Sequence, residues 1–111
     1  MNQLERITEI IAVYRQHEWR LERVLLRPET HQELRESGSK SFEERLVREA
    51  AVDALWFSRP SHAGREAWEL RLVGETPYAL FETFEADEEE EDREELRREM
   101  EARLSDYGAR S

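Results

Sequence analysis

The chain has 111 residues, of which 40% are charged and 38% hydrophobic; its net charge is −10 and it has no cysteine. That length fits one domain able to bury roughly two thirds of its unfolded surface, and the 3 Trp, 3 Tyr and 4 Phe argue against disorder. The missing cysteine excludes disulfides, thiolate catalysis and sulfur-ligated zinc, and an acidic balance is poorly suited to direct binding of nucleic acid, which needs phosphates neutralised.

The opening MNQLERITEI has no basic leader followed by an apolar stretch. No apolar run anywhere approaches the roughly 20 residues that span a bilayer, so the expectation is a cytoplasmic protein with no membrane partner. Residues 3–17 read as a helix: Leu4, Ile7, Ile11 and Tyr14 recur at helical spacing, Ile10 and Val13 widen the stripe, and Asn2 is placed to cap it. So broad a stripe suits docking on a sheet; a dimerisation helix is the alternative.

Residues 19–27 admit two readings. Leu21 and Leu25 would continue the helical stripe, but Trp19, Val24, Leu25 and Leu26 favour a strand, and Pro28 follows at once. A strand is expected here, then a short surface helix over 28–36 that starts on Pro28, is anchored by Leu34 and stops at Gly38. Ser41 stands three residues before Glu44, as in a capping box, and Phe42, Leu46 and Ala50 follow at helical spacing with Val47 and Ala51 beside them. This predicts a helix over 42–51.

Three strands are expected next, over 53–59, 67–73 and 78–85. Trp68, Leu70 and Leu72 alternate with Glu69 and Arg71; Tyr78, Leu80 and Phe84 share one face, with Phe81 and Thr83 on the other. Short loops join them, which predicts an antiparallel meander.

Residues 85–106 hold twelve acids and four arginines, net −8, so the acidity of the chain is concentrated there. Leu96, Met100, Leu104 and Tyr107 make a thin apolar stripe with Gly108 as a stop; Asp87 is placed as a cap. Glu89–Arg93, Glu94–Arg98 and Glu99–Arg103 have the favourable order for pairs one helical turn apart. A solvated closing helix accounts for the segment. Three sharper readings are a cation site, imitation of a phosphate backbone, and docking on basic groups, either a partner's or this chain's own Arg15, Arg20, Arg23 and Arg27. No calcium-loop pattern supports the first.

Catalytic signatures are absent. His17, His31 and His62 share no ligand spacing, and a metal or cofactor is not expected. The stretch SRPSHAG sets two serines beside His62 but brings no G-x-S-x-G elbow, and the four glycines are scattered singly.

The expected fold is α+β: an antiparallel sheet of about four strands, with the N-terminal helix and the 42–51 helix packed on one face. Residues 1–85 form the core, and the acidic helix of 86–111 belongs to the same domain or extends from it. Aromatics lie on both faces of the meander, since adjacent Trp56 and Phe57 must point opposite ways. Helices on one face alone would leave aromatics on the other. Trp56, Phe57, Trp68 and Phe81 are therefore the expected interaction surface of a non-catalytic domain that binds a second copy of itself or another protein. The rival is a small-ligand-binding or enzymatic domain with a pocket between helix and sheet; a weaker alternative is an acidic nucleic-acid mimic.

Overall fold

The computed structural model describes residues 1–38 and 40–110. Asn2 caps the first helix as its position predicts. Its side chain accepts from the Glu5 N–H at 2.8 Å, and the Glu5 carboxylate accepts from the Asn2 N–H at 3.2 Å. This reciprocal box starts α1, Gln3–Gln16. Ile7, Ile10 and Ile11 are buried, whereas Val13, which the stripe includes, is 47% exposed.

Glu18 decides whether the chain continues as helix or turns. It adopts a left-handed φ of 68°, and the Trp19 N–H reaches back to the Tyr14 carbonyl at 3.1 Å. The helix closes there, and β1, Arg20–Leu26, follows. Between Leu21 and Arg23 the register against its neighbour shifts by one residue. This bulge lets Leu21 and Val24, three positions apart, join the same cluster, while Arg23 is left beside the opposite helix.

Pro28 opens α2, Pro28–Ser37, and Gly38 ends it with φ 68°. Thr30 is buried beside Leu34 on this helix. Its hydroxyl donates at 2.8 Å to Asp53, a buried carboxylate that also accepts from the Arg27 N–H at 2.8 Å and from Gln3 Nε2 at 2.8 Å. One side chain thus joins the start of α1, the end of β1 and α2.

The helix expected over 42–51 does not form. A single 3-10 turn, Glu44–Leu46, leads into β2, Val47–Glu49. Phe42, Leu46 and Val47 pack on one side of the sheet and Ala50 and Val52 on the other. Those residues cannot share one helical face, because the segment crosses the sheet's edge; the helical spacing of Phe42, Leu46 and Ala50 is coincidental. Ser41, the expected cap, instead lies 3.0 Å from the Thr8 hydroxyl.

The meander is β3, Ala54–Pro60, β4, Glu66–Leu72, and β5, Ala79–Phe84. The sheet has five strands in the order β2-β1-β3-β4-β5, with β2 parallel to β1 and the other pairs antiparallel. It is therefore mixed, with one strand more than the four antiparallel ones expected. The α+β class stands.

The last helix, α3, spans Glu90–Arg110. It starts three residues after Asp87, which sits in a turn and not at a cap. It also runs through Gly108, which is no stop. A Cβ at Gly108 would lie 2.8 Å from Val52 Cγ1, so glycine there serves close packing.

Helices cover both faces, not one. On the first face, Ile7, Ile11 and Leu34 meet Val24, Leu55 and Phe57. On the second, Met100 and Leu104 of α3 meet Trp56, Trp68, Leu70 and Phe84. A sheet with aromatics on both sides is stable in water only if both sides are covered. The acidic helix is the second cover. No helix among the described residues is long and apolar enough to cross a membrane.

Candidate functional site

The two helical layers decide what becomes of the four aromatics named from sequence. Trp56 is fully buried beneath α3, and its indole N–H donates to Glu101 at 2.8 Å. Phe57 is fully buried on the opposite face, stacked on Tyr14 with ring centres 4.0 Å apart. Trp68 is 8% exposed and meets Trp56 and Phe84 edge-on. These three rings fill the core. Phe81 alone reaches the surface, at 57% exposure.

β5 is one end of the sheet, so one side of its backbone has no neighbour. The Leu72 N–H donates to the Tyr78 carbonyl at 2.9 Å, which sets the phase of the antiparallel ladder. Leu80, Glu82 and Phe84 then direct their backbone groups toward β4, and Ala79, Phe81 and Thr83 direct theirs outward. In keeping with this, the Thr83 N–H donates to the Glu82 carboxylate at 3.2 Å and to no strand.

Phe81 stands opposite Glu69 of β4, which accepts a short hydrogen bond from the Tyr14 hydroxyl of α1. Phe81 therefore lies on the α1 face of the sheet. Partial burial, and then the bond to Glu69, push the Tyr14 phenol up to about 12. A hollow of about 340 Å³, lined by Val13, Tyr14 and Arg71 among others, lies beside the contact of α1 with β4. Exposed Phe81 and Ala79 lie beyond it on an edge strand that no helix covers on this face.

Comparison with protein-family models, curated proteins and solved structures finds no match.

The acidic helix docks through one cation of the sheet, Arg23, and through two arginines of its own, Arg93 and Arg97. Arg23 makes a two-pronged bond to Glu94, at 2.6 and 3.1 Å. Arg97, 2% exposed, donates to Glu90 and Glu94 at 2.9 Å each. Its guanidinium also lies over the Trp68 ring, 4.0 Å from the centre. Arg93 reaches Glu66 at 3.0 Å. Of the four arginines named from sequence, Arg23 alone joins this layer; Arg20 pairs with Glu22, Arg27 with Glu29 and Asp53, and Arg15 has no ion pair among the described residues. The ion pairs formed within α3 are Glu90–Arg97 and Glu94–Arg97, in place of the three one-turn pairs the spacing suggests.

Arg97 and Asp53 carry no sequence signal of their own. Arg97 sits next to apolar Leu96, one turn before Met100 and two before Leu104, and that position on the stripe is the only available clue. Ser58 is buried and donates to Glu22 at 2.5 Å. His31 bridges Glu44 at 2.8 Å and Glu49 at 3.1 Å, fastening α2 to the turn and strand that follow it. Among the described residues no group of three His, Asp or Glu side chains is arranged to hold a metal ion.

Proposed function

We propose that this chain is a non-catalytic protein-interaction domain of the cytoplasm, and that it pairs with a second copy of itself along β5. The observation that carries this reading is the coincidence on one edge strand of outward backbone groups and a Phe81 ring that is 57% exposed. An unpaired edge offers hydrogen bonds to any incoming strand. The phase of β5 makes that edge self-complementary. An antiparallel second copy centred on Phe81 sets Phe81 against Phe81 and Ala79 against Thr83, and the two phenyl rings then share one face.

Two features oppose this pairing and give it a signature. Each copy carries a net charge of −10, so association strengthens with salt. Glu82 must release the Thr83 N–H before a second strand can take it. Another protein's extended strand would use the same groups and is the alternative occupant.

Light scattering and sedimentation across salt concentration test the proposal. The expected result is a dimer that tightens with salt and is lost in Phe81→Asp and in Thr83→Pro. Proline at Thr83 removes an outward N–H and leaves the ladder to β4 intact, so a folded monomer is the expected product. A wild-type chain that stays monomeric at millimolar concentration in high salt would overturn self-pairing.

A further inference from the structure

Near the end of α1 and the start of β1, the segment 40–46 walls off a cleft of about 1030 Å³. Four of its lining residues are cations: Arg15, Arg20, Lys40 and Arg45. The two acids in the lining are already engaged, Glu43 with Arg45 at 2.5 Å and Glu44 with His31 at 2.8 Å. Arg20 is held by Glu22 at 3.2 Å. Among the described residues Arg15 and Lys40 have no side-chain partner, in a chain where acids outnumber cations by ten. The cleft is thus a local positive site on a negative molecule. Beside these charged groups and Ser41 the lining is apolar: Leu21, Leu34, Leu46 and the half-buried rings of Trp19 and Phe42.

From this arrangement we infer that the cleft binds a small organic phosphate. Guanidinium and ammonium groups with no internal partner are suited to a dianion, and arginine's planar fork suits phosphate oxygens. The volume is that of a small-molecule pocket and far exceeds a bare phosphate ion. The apolar remainder suits a ring or other flat body attached to the phosphate. The site is separate from the β5 edge and does not depend on the proposal made for it.

The test uses the full chain, titrated with adenosine monophosphate, adenosine and inorganic phosphate while backbone amide shifts are followed by NMR. The monophosphate is expected to bind best, inorganic phosphate more weakly and adenosine least, with shifts centred on residues 15–21 and 40–46 and with affinity falling as salt rises. Arg15→Gln and Lys40→Gln should each weaken the monophosphate about tenfold. Both positions are exposed, so folding is preserved. The control Arg98→Gln with Arg103→Gln, on exposed positions of α3, should leave binding unchanged. Equal affinity for adenosine and its monophosphate, equal loss in the control, or no shifts at millimolar ligand would each overturn the inference.

Discussion

Arg97 holds its guanidinium 4.0 Å from the centre of the Trp68 ring while donating to Glu90 and Glu94. A cation on a sequence-acidic helix is therefore its most deeply buried charge, pressed against the aromatic core. The helix is held to the sheet by ions as well as by Met100 and Leu104.

The contribution of that charge can be separated from that of its stem. Arg97 Nε has no acceptor, and the carboxylate of Glu94 keeps Arg23 if Arg97 is removed. Arg97→Met retains the packing of the stem and should cost about 1 kcal/mol. Arg97→Ala also opens a cavity over Trp68 and should cost about 3 kcal/mol. Glu94→Gln leaves Arg23 and Arg97 without their shared carboxylate and should cost about 3 kcal/mol. Urea midpoints measure all three; a methionine variant as unstable as the alanine one would show that the charge, not the stem, carries the contact.

Glu94 and His31 limit stability from opposite sides of neutrality. Burial pushes Glu94 up, but bonds from Arg23 and Arg97 outweigh it and hold the carboxyl below its ordinary range. As pH falls the unfolded chain takes that proton first. The stabilisation is full above the ordinary carboxylate pKa and is lost as pH drops through the lowered folded value. His31 is raised above 6.5 mainly by its bond to Glu44, with burial opposing and Glu49 adding. Its contribution is full below the ordinary histidine value and is lost as pH rises through the raised one. Stability measured across pH should lose part of its acid limb in Glu94→Gln and part of its neutral limb in His31→Asn. Unchanged slopes would contradict these assignments.

Tyr14 provides a spectroscopic check on the packing of α1. Its phenol is pushed up to about 12 by partial burial and then by the bond to Glu69. The unfolded chain loses this proton first, so the contribution of Tyr14 is complete below the ordinary tyrosine value and disappears as pH rises toward the folded one. A phenolate absorbance titration should show one phase near 12 that Tyr14→Phe removes. Its persistence in that variant would place the phase on another tyrosine.

Glu18 bears a left-handed φ of 68° that glycine adopts without strain. Glu18→Gly should raise stability by about 0.5–1 kcal/mol, read from the thermal midpoint. A loss of stability would mean that the glutamate side chain contributes more than the backbone strain costs.

Gly108 and Val52 form a pair that should not be additive. A methyl group at 108 meets Val52 Cγ1 at 2.8 Å, so the helix-propensity gain of Gly108→Ala, up to about 1 kcal/mol, is cancelled by crowding. In a Val52→Ala background the same change should stabilise. A double-mutant cycle measures the coupling, and additivity within about 0.5 kcal/mol would refute the contact.

Much of this arrangement is written locally. Asn2 with Glu5, Pro28, Gly38 and the alternation of Trp68, Leu70 and Leu72 act over a few residues, and the structure has the elements they imply. The failure at 42–51 has the same origin in reverse. Phe42, Leu46 and Ala50 share a helical spacing, but the choice between helix and strand was made by β1, whose free edge accepts Val47–Glu49, and by the two faces that the segment must serve. Short-range pattern cannot register a partner more than twenty residues away.

Neighbouring residues are enough to specify the α+β class, the first two helices, the meander and an acidic final helix, because turns and alternation act over short stretches of chain. Long-range packing places α3 over the second face, buries Trp56, Phe57 and Trp68, and leaves Phe81 outside on an open edge. Exposure is a property of what lies across the sheet, and for this chain that was settled by Arg23 and Arg97 drawing an acidic helix onto aromatic rings.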